Sequence, residues 1–322
     1  MDNSLNILVL SCGTRNKIIQ YFKRELGEKG AVIATDCSPL APALYEADKH
    51  YVVRRMNEKG YLDEILSICK ENNIKGVLSL IDPELSFLAK HKQDFLDIGT
   101  FPIVSDHDAI ELFFDKYRTF EFLNQNNLPT VKSYLNKTDF YKDLENRKIN
   151  YPVFVKPVNG SASININKVT SNEELEILFN RFDNLIIQEF MDGNEYGIDV
   201  YIDFISLEPT SIFIKKKLKM RGGETDKSIS VKEEKLFDLI KKFVAITNFK
   251  GIIDIDVFEV RGEYYISEVN PRFGGGYPHA YENGINVPKM IFNNLNSLVN
   301  KSEIGDYQEG KLMMKYSEIK TI

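Results

Sequence analysis

Cysteine is scarce in this 322-residue sequence, and long hydrophobic runs are missing from it. The three cysteines, Cys12, Cys37 and Cys69, are odd in number and include no CxxC pair, which argues against a disulfide framework or a zinc site and favours a reducing compartment. No segment approaches the roughly 20 apolar residues of a membrane-spanning helix, and the apolar residues 5–10 have the length of a strand rather than of a signal sequence. We expect a cytoplasmic protein without a membrane partner.

Positive charge is not in excess either. The sequence has 41 Lys and Arg against 47 Asp and Glu, a formal net charge of -6, and its longest basic run covers only residues 215–217. Nucleic-acid backbones are bound by basic surfaces, so we expect no nucleic-acid partner. Residues 11–15 lack the GxGxxG pattern of a dinucleotide-dependent oxidoreductase, and the four scattered histidines offer no Ser–His–Asp or Cys–His set.

The first third of the sequence alternates strand-like and helical patterns. Helical patterns at residues 16–29 and 61–72 separate apolar runs of strand length. This alternation predicts an α/β domain with a parallel sheet and helices on both faces. The predicted strands lie at residues 7–10, 32–34, 51–53, 77–80 and 102–104.

From about residue 113 the pattern changes to α+β. Helices are expected at residues 115–126 and 231–247, and the longer strand patterns favour antiparallel sheets. A chain of this length suits two or three packed units. The predicted division is an α/β domain at 1–113, a small subdomain at 114–190 and a larger subdomain at 191–322.

Oxygen-bearing side chains are concentrated in two consecutive strand patterns, at Asp254, Asp256, Glu268 and Asn270. Because side chains alternate along a strand, Asp254 and Asp256 share a face, as do Glu268 and Asn270. The segment continues as Asn-Pro-Arg and then three glycines at 274–276. A solvated edge hairpin with its charges outward is the plain alternative, and the concentration of features favours a site over it.

The register of this hairpin decides whether the carboxylates meet. A two-residue turn at 261–262 would pair Asp256 with Ser267 and put Glu268 on the opposite face. A three-residue loop at 261–263 would place Asp256 opposite Glu268, with Cβ atoms about 5 Å apart, and we predict this register. Two carboxylates so close repel by about 4 kcal/mol at an effective dielectric near 20, which a hard divalent cation relieves. Magnesium is the predicted metal, with manganese as an alternative.

A second motif suggests a phosphate site. The strand pattern at 153–157 contains Lys156 near its end and runs into the small residues Gly160, Ser161 and Ser163. An ammonium at a strand tip can meet phosphate, and small residues let backbone N–H groups approach anionic oxygens. The alternative is a surface hairpin loop, and the segment is not a Walker loop.

Residues 186–199 form a strand, a turn and a second strand. Main chain after the first strand can hydrogen-bond an adenine edge, and Glu195 could accept from ribose hydroxyls. A plain β-turn at Asp192–Gly193 is the alternative.

Together these pieces resemble the ATP-grasp enzymes, in the order in which that family carries them. The resemblance is closest to carboxylate–amine ligases akin to the synthetase half of carbamoyl-phosphate synthase and to biotin carboxylase. It covers nearly the whole chain, because the N-terminal unit looks like the pre-ATP domain of that family. The motifs that carry it are Lys116, Val155-Lys156-Pro157, Gln188-Glu189-Phe190, Gly193-Asn194-Glu195, Asp256 and Glu268-Val269-Asn270-Pro271-Arg272.

The resemblance implies a role for each matching position. ATP would be held at its phosphates by Lys116, Lys156 and the loop with Gly160, Ser161 and Ser163, at its adenine by Glu189, Phe190 and Met191, and at its ribose by Glu195. Magnesium would be held by Asp256, Glu268 and Asn270, and the transferring phosphoryl group and acyl phosphate would be stabilised by Arg272. The sequence departs from the family pattern at Asp256, where relatives often carry Glu or Gln, and in the phosphate loop, which has a single glycine.

Substrate contacts are expected at loops around the same place. A carboxylic acid would need a cation, which Arg221 or Arg15 could provide, and Arg221 also counts among the predicted catalytic residues with Lys156 and Arg272. His279 and Glu84 complete the predicted contacts, and a solvated loop charge is the alternative for each. Residues 221–227 are predicted to be a polar loop.

The predicted function is an ATP- and magnesium-dependent ligase for a small carboxylic acid and an amine, releasing ADP and phosphate. A catalytically silent ATP-binding regulatory or scaffold protein of the same fold is the alternative. A complete carbamoyl-phosphate synthase is disfavoured because the chain has one ATP-binding half and no glutaminase-like Cys–His arrangement. The resemblance is also compatible with a homodimer.

Overall fold

The computed structural model describes residues 4–160 and 166–322. The N-terminal unit is a five-stranded parallel sheet of order β3-β2-β1-β4-β5. Its strands are β1 (Asn6–Leu10), β2 (Val32–Asp36), β3 (Lys49–Val52), β4 (Ile74–Ser79) and β5 (Phe101–Pro102). The accompanying helices are α1 (Asn16–Leu26), α2 (Tyr61–Glu71), α3 (Asp82–Lys90), α4 (Lys92–Leu96) and α5 (His107–Phe114).

Both faces of this parallel sheet are buried, as its apolar strands predict. On β1, Ile7 and Val9 pack in one hydrophobic cluster together with α1, while Leu8 and Leu10 pack in a second cluster with α2 and α3. The predicted α/β class of this unit is confirmed. The predicted helix at 16–29 ends earlier, at Leu26, because Gly27 adopts a positive φ of 52° that ends the α-helix.

A small antiparallel sheet of order β6-β9-β7-β8 follows. It contains β6 (Ser133–Tyr134), β7 (Val153–Pro157), β8 (Asn167–Val169) and β9 (Leu185–Glu189), with helices α6 (Lys116–Gln125), α7 (Lys137–Glu145) and α8 (Asn172–Arg181). The start of α6 lies beside the end of β7, because Lys116 donates its backbone N–H to Val158 O at 3.1 Å. This contact places Lys116 and Lys156 at the same end of the sheet.

The third unit is a six-stranded antiparallel sheet of order β14-β13-β10-β11-β12-β15. Its strands are β10 (Asn194–Ile202), β11 (Pro209–Arg221), β12 (Glu224–Ser230), β13 (Gly251–Val260), β14 (Glu263–Asn270) and β15 (Leu312–Met314), and its helices are α9 (Glu234–Ala245), α10 (Tyr277–Tyr281) and α11 (Val287–Leu295). The two antiparallel sheets confirm the predicted α+β class. The three sheets draw their strands from residues 6–102, 133–189 and 194–314, and the exact domain boundaries stay a prediction.

The predicted polar loop at 221–227 is wrong. Strand β11 runs to Arg221 and β12 begins at Glu224, so only Gly222 and Gly223 form the turn, both with positive φ. The hairpin is stable here because two adjacent glycines adopt these dihedral angles without strain. The predicted helix at 231–247 is shorter in the structure, where α9 begins at Glu234 and ends at Ala245.

The register of the β13–β14 hairpin is partly as predicted. Asp256 lies opposite Glu268, which confirms the predicted pairing. The predicted three-residue loop is wrong, because Val260 pairs with Glu263 across a two-residue turn at 261–262 whose φ angles are 54° and 82°. A β-bulge between this turn and the carboxylates shifts the register by one residue at Ser267. The bulge therefore places Asp256 opposite Glu268, as the three-residue loop was expected to do.

No helix in the described ranges is long and apolar enough to cross a membrane.

Candidate active site

A cavity of about 470 Å³ opens where the three sheets meet, a volume typical of a small-molecule site. Eight residues predicted from the sequence line it: Arg15, Lys116, Lys156, Gly160, Asp256, Glu268, Asn270 and Arg272. Seven others do not: Glu84, Glu189, Phe190, Met191, Glu195, Arg221 and His279. Ser161 and Ser163 lie outside the described residues.

The predicted metal ligands lie side by side on the two strands of the acidic hairpin. Asp256 faces Glu268, and Asn270 lies opposite Asp254. The described residues include no group of three or more His, Cys, Asp or Glu side chains arranged to hold a metal. Two carboxylates and one amide nevertheless fit magnesium, which prefers oxygen ligands and usually keeps several positions for water and phosphate. The donor set therefore suits an ion that is shared with a phosphate group.

Lys217 is a site residue that the sequence analysis missed. Its Nζ lies 2.6 Å from Asp256 Oδ1 and 2.7 Å from Glu195 Oε1, and its side chain is only 5% exposed. Burial lowers the pKa of Lys217, but the neighbouring carboxylates Asp256 and Glu195 outweigh it and raise the pKa above its ordinary value. Lys217 remains charged and neutralises part of the acidic hairpin. The lysines that alternate along β11 are the feature of the sequence that could have indicated this residue.

The same contact concerns Glu195, which was predicted at the ribose. In the structure the carboxylate of Glu195 is bound by Lys217 instead of lining the cavity. Its predicted role toward a nucleotide stays a prediction.

Two ammonium groups converge at the end of the small sheet. Lys156 is buried, with 7% exposure, and burial lowers its pKa, a shift that Glu268 opposes and Lys116 reinforces. Lys116 begins α6, where its Nζ donates to Gly160 O at 2.6 Å. Asp115 caps this helix by accepting the N–H groups of Tyr117 and Arg118. The cap fixes the position of Lys116, and the two lysines give the cavity a site for anionic oxygens.

The predicted adenine residues lie at the end of β9 and directly after it, and none of them lines the cavity. The Phe190 ring lies beneath Lys168, whose Nζ is 4.1 Å from the ring centroid, and 5.5 Å from the ring of Phe154. A cation over an aromatic face is a stabilising contact. The predicted role of Glu189, Phe190 and Met191 toward adenine stays a prediction.

Arg272, just after the end of β14, connects this strand to the N-terminal unit. Its Nη2 donates a hydrogen bond to Asp82 Oδ2 at 3.0 Å, and its Nε lies at an ion-pair distance of 2.9 Å from Asp82 Oδ1. The Nη2 atom also donates to Asn270 Oδ1 at 3.2 Å. Burial lowers the pKa of Arg272, but Asp82 more than compensates and the pKa lies above its ordinary value. Arg272 thus lines the cavity with its charge balanced by Asp82.

The predicted substrate contacts separate into one that lines the cavity and three that do not. Arg15 lines it and pairs through Nη2 with Glu224 Oε1 at 2.8 Å. The Arg221 side chain is 56% exposed and bound to Asp226 at 2.8 Å, outside the cavity, because the hairpin turns it away. Glu84 is fully buried, with its carboxylate accepting from Tyr61 and Ser79.

His279 is likewise buried away from the cavity. Its Nδ1 lies 2.8 Å from Ser228 Oγ and its Nε2 lies 3.0 Å from Lys311 O. Burial, with a contribution from Lys215, lowers the pKa of His279 to about 4, so the ring is neutral near pH 7. The closeness of His279 to β14 in the sequence suggested a substrate contact, but α10 directs this side chain into the core.

The three glycines at 274–276, which follow β14, are required because other side chains approach their backbone closely. A Cβ at Gly274 would lie 2.3 Å from Asp254 Cγ, one at Gly275 would lie 2.7 Å from Glu224 Cδ, and one at Gly276 would lie 2.5 Å from Lys215 Cε. The segment therefore packs its backbone against three charged side chains. Burial and the neighbouring Asp256 raise the pKa of Asp254 to about 7.

Comparison with known proteins agrees with this arrangement. Residues 7–103 match the family description "PylC-like, N-terminal domain" and residues 113–276 match "ATP-grasp domain". Carbamoyl-phosphate synthase of Methanobrevibacter smithii is 27% identical over 80% of this chain and 71% of that protein. D-alanine–D-alanine ligase of Francisella philomiragia is 27% identical over 77% of this chain and 89% of that protein.

Among solved structures, the biotin carboxylase domain dimer of Hydrogenobacter thermophilus 2-oxoglutarate carboxylase, determined with MgADP, ADP and bicarbonate, has a TM-score of 0.75 at 17% identity. It covers 95% of this chain and 73% of that one, and it shows that the fold is shared. With a family match over residues 113–276 and the same fold across nearly the whole length, the chain belongs to the ATP-grasp family.

Proposed function

We propose that this chain is an ADP-forming ligase, which phosphorylates a small carboxylic acid with ATP and passes the acyl group to an amine. One observation carries the proposal: two lysine ammonium groups, Lys116 and Lys156, line the same cavity as the facing carboxylates Asp256 and Glu268. Cations for phosphate oxygens and oxygen ligands for a divalent ion are the parts that phosphoryl transfer requires.

The roles of the residues follow from their chemistry. Lys116 and Lys156 would bind the phosphate oxygens of ATP, since both residues line the cavity. Asp256, Glu268 and Asn270 would hold magnesium, which supplies charge neutralisation at the phosphates. Arg272 would orient the acyl phosphate from a position fixed by Asp82.

Membership of the ATP-grasp family supports the use of ATP, and the relatives support the type of bond. One relative is named a ligase of D-alanine to D-alanine, which is an acid–amine ligation. No side-chain nucleophile is needed for such a reaction, because the phosphate group itself activates the acid. The acid and the amine are small molecules on this proposal.

One contact favours a second candidate, an ATP-binding protein without turnover. Lys217 occupies an oxygen of Asp256, the residue that would hold the metal. If this contact persisted with nucleotide bound, the site would bind ATP weakly with magnesium and release no ADP.

An ADP-release screen over pairs of carboxylic acids and amines tests the proposal. Glu268→Gln should lower ADP formation by about 10³-fold, because the neutral amide no longer holds the divalent ion beside the phosphates. The matched control is Glu263→Gln, an exposed glutamate at the other end of β14, which should behave as the wild type. Circular dichroism should show the same fold in all three proteins.

Calorimetry with ATP separates the two candidates. Lys156→Ala should weaken ATP binding by about 10-fold or more, because a buried cation is lost from the phosphate site. If the wild type binds ATP but releases no ADP with any pair of substrates, the silent protein is correct. If Glu268→Gln turns over as fast as the wild type, the ligase mechanism is wrong.

A further inference from the structure

Five carboxylates line the cavity, and within the described residues three of them are already paired. Asp82 is bound by Arg272, and Asp256 by Lys217. Glu224 is bound by two cations, Arg15 and Lys315. The remaining two are Glu268 and Asp254, which make no hydrogen bond or salt bridge to any described residue.

The proposed function accounts for Glu268, which would hold magnesium, but it leaves Asp254 without a role. Asp254 is not simply exposed to solvent, because the Gly274 backbone packs directly against its carboxylate and the residue is only partly accessible. Because Asp254 lines the cavity, a hydrogen-bond donor or a cation that enters the cavity would reach its carboxylate. The missing partner belongs on the cavity side.

The position of Asp254 relative to the metal ligands is fixed by the sheet. Asp254 and Asp256 share a face of β13 and lie about 7 Å apart along the strand. Asn270, a predicted metal ligand, lies directly opposite Asp254 on β14. A group bound at Asp254 would therefore lie next to the place where the proposed acyl phosphate forms.

We propose that Asp254 binds the nitrogen of the acceptor substrate, and that this acceptor is a primary amine carrying a positive charge. The inference deepens the proposed function and rests on it, because an acceptor is needed only if an acyl phosphate is formed. The ammonium group would donate charge-assisted hydrogen bonds to the carboxylate, which holds the nitrogen near the acyl carbon. It would attack as the free amine after passing one proton to water in the cavity. The C–N bond forms as the acyl C–O bond to phosphate breaks, and the second proton leaves the nitrogen with the departing phosphate.

The charge of the neighbouring groups selects this class of acceptor. The cations nearest to this part of the cavity, Lys217 and Arg272, pair with Asp256 and Asp82, and neither makes a hydrogen bond or a salt bridge to Asp254. A bound ammonium would stabilise the ionised form of Asp254, whereas an anionic acceptor such as bicarbonate would disfavour that form and a neutral amide would gain no charge-assisted bond. Asp254 is an acceptor-binding residue, distinct from the metal ligands beside it.

Hydroxylamine provides a probe that separates activation of the acid from binding of the amine. It is a small neutral nucleophile that converts acyl phosphates to hydroxamates, so it needs no cation-binding carboxylate. A panel of carboxylic acids is incubated with the full-length protein, ATP, magnesium and hydroxylamine to identify the acid. A panel of primary amines then competes with hydroxylamine, and the ratio of amide to hydroxamate is measured.

Asp254→Asn should lower the ratio of amide to hydroxamate by about 10- to 100-fold and raise the KM for the amine by a similar factor, because the neutral amide loses the charge-assisted bond. Binding of MgATP, measured by calorimetry, should change less than threefold. Asp108→Asn, which alters an exposed carboxylate on α5, should leave both quantities at the wild-type value.

Two results would overturn the assignment. An unchanged ratio in Asp254→Asn would show that the carboxylate does not bind the acceptor. A parallel loss of hydroxamate, amide and MgATP binding, as expected for Glu268→Gln, would show that Asp254 belongs to the metal site. If the wild type forms no hydroxamate with any acid, the proposed function itself fails, and this inference fails with it.

Discussion

Two lysines two residues apart on β11 make the same kind of contact in different surroundings. Lys215 Nζ lies 2.5 Å from Asp199 Oδ2, and both side chains are 1% exposed. Lys217 Nζ lies 2.6 Å from Asp256 Oδ1, but that carboxylate is 25% exposed toward the cavity. The backbone of Gly276 packs against Lys215, whereas Lys217 lines the cavity itself.

The difference shows how one strand serves both stability and function. The Lys215–Asp199 pair is sealed, so neither charge can exchange its partner for water or ligand without a large penalty. The Lys217–Asp256 pair is open on one side, so a cation that competes for Asp256 can displace the lysine at small cost. Lys315 and Glu224, with side chains 26% and 35% exposed, extend the series toward solvent. The more deeply the carboxylate partner is buried, the more the free energy of unfolding should fall when its lysine is removed.

Lys215→Met should have the largest effect on stability. It leaves Asp199 buried and unpaired beside Asp254, so the free energy of unfolding should fall by about 3–5 kcal/mol. Urea unfolding followed by circular dichroism measures the change. The double variant Lys215→Met with Asp199→Leu should recover most of the loss, and a single variant that unfolds like the wild type would show that the pair is not the sealed contact described.

Lys217→Met should have an intermediate effect. Its partners Asp256 and Glu195 remain accessible to water, so the free energy of unfolding should fall by only about 1–2 kcal/mol. Magnesium should recover part of this loss in Lys217→Met but not in Lys215→Met, because only the former frees a carboxylate at the cavity. Thermal unfolding with and without magnesium measures both, and equal losses insensitive to the ion would refute the distinction between the two lysines.

Lys315→Met should have the smallest effect. An exposed pair contributes about 0–1 kcal/mol, and this contribution should decline further at high salt because the charges are screened. The measurement is urea unfolding at low and high salt, beside the other two variants. A loss as large as that of Lys217→Met would mean that burial does not rank the three pairs.

The sequence could predict the acidic hairpin because strand alternation and local order determine which side chains share a face. Asp256 and Glu268 were paired correctly, although the turn that pairs them was not. Lys116 and Lys156 were also accessible to sequence reasoning, since Lys156 lies near the end of a strand and Lys116 begins a helix. In each case the informative residues lie within one or two consecutive elements.

The contacts between distant elements could not be predicted in this way. Lys217 and Glu224 reach the site only through neighbouring strands, and the pairing of Glu224 with Arg15 joins two separate units of the fold. These contacts are set by packing of the whole molecule. His279 and Arg221 lie outside the cavity lining for the opposite reason. They are close in sequence to site residues, but a helix buries the first and a tight hairpin turns the second outward.

The bulge at Ser267 divides the β13–β14 hairpin into a part next to the turn and a part that carries Asp256 and Glu268. The two-residue turn alone would pair Asp256 with Ser267 and put Glu268 on the opposite face of the sheet. The additional residue at the bulge shifts the pairing by one, so Glu268 lies opposite Asp256 instead. Deletion of Ser267 would remove the bulge and place Glu268 directly after Ile266, so regular strand pairing would still set Glu268 opposite Asp256 and Asn270 opposite Asp254.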